Sequence, residues 1–236
     1  MLPSVFTGAI GPISESQPLP QAVTSLEAAL VKRPMTLIAL GPLTNIAMLL
    51  EKRPDLINRI NGIIAVGGQR PGQVFKVGNT PILHFHDLNV RKDVDAFDIV
   101  LQSEIPMHLF PFEVGIQVVV TRSDLKTLEL NGNLDHWIGQ RSMGWLDFWE
   151  NTLGAEGFSP FDTLTIAYLA APHLFSCEAQ SAKIVRRKGI FTTRDTLEIT
   201  PLLAGGRMVS YCSQVSAIMK KAIADFVSNP DSINSL

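Results

Sequence analysis

The sequence predicts an α/β fold in which a mostly parallel sheet is covered by helices on both faces. Three observations carry this expectation. Short, continuous apolar runs recur at Thr36–Leu40 (TLIAL), Ile63–Val66 (IIAV) and Met107–Phe110 (MHLF). Each run ends at a backbone breaker: Gly41-Pro42, Gly67-Gly68 and Pro111. Amphipathic stretches with helical spacing separate the runs. Strands that are apolar throughout, rather than alternating, belong to sheets buried on both sides.

Taken in order, Thr36–Leu40 reads as a buried strand. Thr44–Glu51 then reads as a helix with Thr44 as its N-cap, and Pro54–Ile60 as a helical continuation. After the Ile63–Val66 strand, Lys92–Gln102 places Val94, Phe97, Ile99, Val100 and Leu101 as a helix packed on a sheet. Met107–Phe110 is the next strand. Leu134–Glu150 predicts a helix carrying Trp137, Trp145, Phe148 and Trp149, and Asp162–Ala171 a second one. Ala182–Arg186, Thr196–Ile199 and Met208–Tyr211 read as strands of an antiparallel extension, and Ser213–Val227 as a closing amphipathic helix. No repeat, linker or low-complexity stretch divides the chain, so residues 1–236 are expected to form a single domain. Ligands of such sheets bind at the carboxyl ends of the strands, where the breakers fall.

Composition narrows the function. Of 236 residues, 46% are hydrophobic and 18% charged, enough for a sizeable core. The formal net charge of -2, with no basic block, argues against a nucleic-acid or anionic-membrane partner. Cys177 and Cys212 lack metal-site spacing and are expected to be buried, reduced thiols rather than a bridge. The opening MLPSVFTGAIGP has no signal-peptide pattern, and no apolar run has the roughly 18 residues of a membrane span. A soluble, cytoplasmic protein is expected.

Three segments could carry chemistry. In ALGPLTNIA (Ala39–Ala47), a strand end followed by Gly-Pro can offer carbonyls to a ligand or cation, or be a plain strand-to-helix turn. In VGNTPILHFHDLNVRKDVDAF (Val77–Phe97), Asn79, Asp87 and Asn89 offer the donors and acceptors that vicinal hydroxyls require. The plain reading makes Asp87 and Asn89 turn or cap residues and Asp93 the cap of the next helix. His84 and His86 have a spacing that could suit a metal, but read better as surface residues. In FSPFDTLTIAYLAAP (Phe158–Pro172), Asp162 is either an N-cap or a calcium-ligating carboxylate.

Together and in this order, these segments resemble the inosine-uridine preferring nucleoside hydrolase family. The matching elements are VFTGAIGPI near the start, ALGPLTN at Ala39–Asn45, AVGG at Ala65–Gly68, GNTP at Gly78–Pro81, DLN at Asp87–Asn89, DVDAF at Asp93–Phe97 and FD at Phe161–Asp162. The resemblance implies a nucleoside hydrolase-like parallel-sheet fold with calcium at the bottom of a cleft. It implies hydrolysis of the N-glycosidic bond of ribonucleosides to ribose and free base, and hence a place in purine and pyrimidine salvage. On that reading Asp162 and the Leu40 carbonyl ligate calcium, Asp87 and Asn89 hold ribose hydroxyls, and Asn79 holds the 5′-hydroxyl. Trp145 and Trp149, four apart on one helical face, would contact the base or pack in the core.

The chain also departs from the family pattern. The Asp-x-Asp-x-Gly-x-Asp-Asp cluster that supplies the family's catalytic base and calcium ligands is absent from the 236 residues. The grip glutamate is Asp87, eight residues after Asn79, and the histidine before the late aspartate is Phe161. A divergent or N-terminally truncated member is therefore expected, with its first strand-helix units missing and homo-oligomerisation covering the apolar surface this leaves. No catalytic residue is identified; Glu113 or Asp87 could replace the base. The alternative is a catalytically inactive relative that binds a ribose-like ligand or a protein partner.

Overall fold

In a computed structural model, residues 4–14, 18–73, 78, 87–131, 133–188 and 193–219 are described. Two compact units emerge. The first is Met1–Gln73, His86–Leu109 and Glu178–Tyr211; the second is Val74–Phe85, Phe110–Cys177 and Cys212–Leu236.

The first unit carries most of the sheet. The strands of the sheet are β1 (Met35–Ala39), β2 (Ile60–Val66), β3 (Met107–Phe110), β4 (Phe175–Lys188), β5 (Thr193–Thr200) and β6 (Arg207–Val215), in spatial order β1-β2-β3-β6-β4-β5. β1 runs parallel to β2, with Ile38 opposite Ile64, and β3 parallel to β6, with Leu109 opposite Tyr211. The three apolar runs thus become the three expected strands. β4 and β5 form the expected antiparallel pair, with Ser181 opposite Thr200. Met208–Tyr211, as part of β6, lies beside β4 on one side and parallel to β3 on the other. Periodicity marks a strand but does not name its neighbour.

Helices α1 (Gln21–Lys32), α2 (Thr44–Lys52), α3 (Leu88–Lys92) and α4 (Val94–Gln102) belong to the same unit. α2 buries Ile46, Ala47, Leu49 and Leu50, and α4 buries Ala96, Phe97, Val100 and Leu101, the i, i+3, i+4 faces expected of helices on a core. Leu49, Ile63, Leu109 and Tyr211 are fully enclosed in that core. Two expected boundaries move. Pro54–Arg59 is a 3-10 turn rather than a continuation of α2. The Lys92–Gln102 pattern breaks at Asp93, whose non-helical backbone ends α3 and whose side chain caps α4.

The second unit is helical: α5 (Phe112–Gly115), α6 (Arg122–Asn131), α7 (Asn133–Leu153) and α8 (Phe161–Ala170). α6 and α7 pack as a hairpin around Leu125, Leu128 and Leu146. Cys177 and Cys212 are joined in a disulfide, which corrects the expectation of reduced thiols. Each stretch read alone looked like an apolar strand. Only the hydrogen bonding of β4 beside β6 reveals that the two sulfurs are neighbours. Of the expected helix Ser213–Val227, the first three residues belong to β6 and those beyond 219 lie outside the described residues. No described helix is long and apolar enough to cross a membrane.

Candidate functional site

In the first unit the polar groups gather where β1 and β2 end. After β1, Leu40 is exposed and a Cβ at Gly41 would meet nothing within 4 Å, so the turn is open. Thr44 is not the N-cap of α2. Leu43 occupies that position without a side-chain bond, and the buried Thr44 hydroxyl donates instead to Asp93 Oδ2 at 2.5 Å. Asn45, in the first turn of α2, accepts the Ala9 N–H on its Oδ1 at 2.9 Å.

After β2, the Gly67-Gly68 break meets Asp87. The Asp87 carboxylate accepts the Gly68 N–H on Oδ2 and the Val90 N–H on Oδ1, the latter at 2.9 Å, and so caps α3. Asn89 Nδ2 donates to the Val66 carbonyl at 2.9 Å. Burial pushes the Asp87 carboxyl above its ordinary value, while the N–H groups of Val90, Gly68 and Asn89 pull it back. The cap reading of Asp87 is therefore realised. It leaves sugar contact open, because each carboxylate oxygen can accept two hydrogen bonds. Asn79, His84 and His86 lie outside the described residues.

Gly68 is fixed by this arrangement. Its φ is +105°, and a Cβ there would stand 3.1 Å from Ile199 Cδ1 and 3.3 Å from Tyr211 Cε2. Gly68→Ala should cost about 1–3 kcal/mol through strain and overpacking. Urea titration would show this as a lower midpoint at unchanged slope, and an unshifted midpoint would contradict it.

In the second unit Asp162 is not the N-cap of α8. Pro160 holds that position, Asp162 sits in the first turn, and its carbonyl accepts the Thr165 hydroxyl at 2.7 Å. The Asp162 carboxyl is held above its ordinary value by partial desolvation, although the residue remains exposed. Phe161 stacks on Phe112 at 5.1 Å and lies tilted against Trp149 at 6.1 Å. A Cβ at Gly115 would stand 2.0 Å from the Phe161 ring, so this glycine makes room for it. The residue that replaces the family's histidine is thus part of an aromatic cluster.

The two tryptophans separate. Trp149 is 6% exposed and belongs to that cluster, while Trp145 is 51% exposed and stacks on Phe148 at 5.4 Å. Glu113 lies in the single turn of α5. Sequence reasoning missed the bonds from Asp93 to Thr44 and from Asn45 to Ala9, which join residues far apart in the chain. Among the described residues, no group of three or more His, Cys, Asp or Glu side chains is placed to hold a metal ion.

The sequence model of the inosine-uridine preferring nucleoside hydrolases matches residues 7–222. The chain belongs to this family. Among its curated relatives is the pyrimidine-specific ribonucleoside hydrolase RihA of Shewanella woodyi, 33% identical over 184 residues, covering 73% of this chain and 55% of the relative. RihA of Photobacterium profundum is 31% identical over 182 residues, covering 72% and 55%. The chain spans about half the length of the curated relatives it matches. Among solved structures, a plant nucleoside hydrolase superposes with a TM-score of 0.73 at 20% identity, covering 94% of this chain and 70% of that one. A purine-preferring ribonucleoside hydrolase from Gardnerella vaginalis gives 0.68 at 21%, covering 92% and 70%. These structural likenesses establish the nucleoside hydrolase fold.

Proposed function

We propose that this chain binds a ribonucleoside and serves in the hydrolysis of its N-glycosidic bond to ribose and free base. The observation that carries this is the family match across residues 7–222. The polar groups at the end of β2 support it. Asp87 and Asn89 would take ribose hydroxyls, with Asp87 oriented by the Gly68 and Val90 N–H groups and Asn89 by the Val66 carbonyl. By resemblance, Asn79 would take the 5′-hydroxyl. The exposed face of Trp145 is suited to a base, and the buried Trp149 to supporting it. The substrate is a small-molecule nucleoside, in a homo-oligomeric protein.

Calcium fits the described residues poorly. The ion takes about six to eight oxygen ligands. Asp162 offers one carboxylate and Leu40 one carbonyl, and no described acidic cluster joins either. A second reading, ligand binding without turnover, is favoured by the absence of the Asp-x-Asp-x-Gly-x-Asp-Asp cluster from the 236 residues.

The test is ribose release from a panel of purine and pyrimidine nucleosides, with calcium and then with chelator. Release above the uncatalysed rate supports hydrolysis, and its loss on chelation assigns the metal. No release from folded protein that still binds a nucleoside would select the second reading.

A further inference from the structure

We propose that Asp93 is a positioning residue that clips the 4–14 segment and the Leu40–Asn45 turn to the start of α4. The inference rests on the reading under Proposed function only for its consequence in turnover; the clip itself is independent of it.

Asp93 is 3% exposed, and its carboxylate accepts three hydrogen bonds from three separate segments. Oδ1 takes the Ala96 N–H at 3.0 Å, the ordinary bond of an N-cap. Oδ2 takes the Thr44 hydroxyl at 2.5 Å and the Ile13 N–H at 2.8 Å. A helix cap needs only the first of these. The other two reach 49 and 80 residues back along the chain. One joins the start of α2, just after β1; the other joins a segment with no regular structure.

That segment is held at a second point close by. Asn45 Oδ1 accepts the Ala9 N–H, and a Cβ at Gly8 would stand 2.9 Å from Asn45 Nδ2. A side chain at position 8 would push against the Asn45 amide that holds Ala9. Thr44 and Asn45 are consecutive, so one turn of α2 grips the segment through its own amide and through Asp93. Ala9 and Ile13 rest against the core, while most of the segment between residues 4 and 14 is exposed. Its Thr7 carbonyl also accepts the Ala22 N–H at 2.9 Å, so two side-chain clips and one backbone bond, not extensive burial, hold the segment.

The chemistry specifies a carboxylate at 93. Three donors converge on two oxygens that carry only lone pairs. An asparagine has the same shape but turns an NH2 toward at least one donor, which leaves buried groups unpaired. Asp93→Asn therefore separates the hydrogen bonding from the packing.

The experiment uses the full chain. In wild-type protein, a scalar coupling across the hydrogen bond should connect the Ile13 amide nitrogen with the Asp93 carboxyl carbon. In Asp93→Asn, the Ile13 amide should exchange with solvent at least tenfold faster, while the Ile63 and Leu109 amides stay within about twofold of wild type. Where ribose release is measurable, kcat should fall at least tenfold with KM changed less, because Asp93 does not itself contact substrate. An absent coupling in folded wild-type protein, or unchanged Ile13 exchange in a folded variant, overturns the clip. Should Asp93→Asn fail to fold, the wild-type coupling still decides. If wild-type protein releases no ribose, the hydrolase reading falls while the coupling and exchange results still judge the clip.

Discussion

Reducing the Cys177–Cys212 bridge should lower stability by about 4 kcal/mol. The bond closes a loop with a sequence separation of 35. In the chain-entropy account, removing a cross-link of that span returns about 4 kcal/mol of freedom to the unfolded chain. For a chain of this size the melting temperature should drop by on the order of 10 °C. Cys212 is fully buried and Cys177 partly so, which shields the bond from reductant in the native state. Reduction should therefore be slow without denaturant and fast with it. A thiol titration of native protein purified without reductant should find no free thiols. Two free thiols in that experiment, or an unchanged melting curve for the Cys177→Ser, Cys212→Ser double variant, would remove the bridge from the account.

The bridge also shows where reading the sequence stops. TLIAL, IIAV and MHLF are legible as strands because each is apolar throughout and ends at a breaker. Their order beyond β1, β2 and β3 is not legible, because the place of β6 between β3 and β4 is set by long-range pairing. Cys177 and Cys212 become partners only through that insertion. The helical pattern over Lys92–Gln102 is right in its face and wrong in its continuity. Asp93 breaks it because its side chain is more favourably used as a cap and a triple acceptor than its backbone would be in a continuous helix.

The candidate site was legible to the same depth. Thr44 precedes an apolar helix and reads as its N-cap, yet its hydroxyl goes to a carboxylate 49 residues away. Asp162 reads as an N-cap, yet Pro160 fixes the helix start two residues earlier. Asp87 and Asn89 were legible as polar groups at a strand end, because Gly67-Gly68 marks that end and hydrogen-bonding side chains crowd behind it. Their partners, the Gly68 N–H and the Val66 carbonyl, follow from the return of the chain to β2, which no local pattern encodes. Trp145 and Trp149 share a helical face by spacing, but burial parts them. Leu153, Phe112 and Phe161 close over Trp149, while Trp145 stacks on Phe148 at the surface.

Trp149→Ala should be among the most damaging single changes in the second unit, at about 3–5 kcal/mol. The indole is 6% exposed and touches Trp145 edge-on at 6.1 Å as well as Phe161. Removing it leaves a cavity between α7 and α8 that stacked rings cannot easily collapse into. The indole Nε1 is buried without a hydrogen-bond partner among the described residues. An unpaired buried donor costs about 1–3 kcal/mol, so Trp149→Phe removes a penalty while keeping most of the ring. The phenylalanine variant should therefore lie within about 1 kcal/mol of wild type, since the volume lost and the penalty relieved oppose each other. Urea midpoints of the two variants separate these effects, and equal losses in both would mean that the N–H holds a partner in solution. The pair also divides packing from recognition. If the Trp149→Phe protein keeps its stability and its nucleoside affinity, Trp149 supports the cluster and the open face of Trp145 is left as the surface for a base. If it keeps stability but loses affinity, the Trp149 indole N–H is itself a ligand contact.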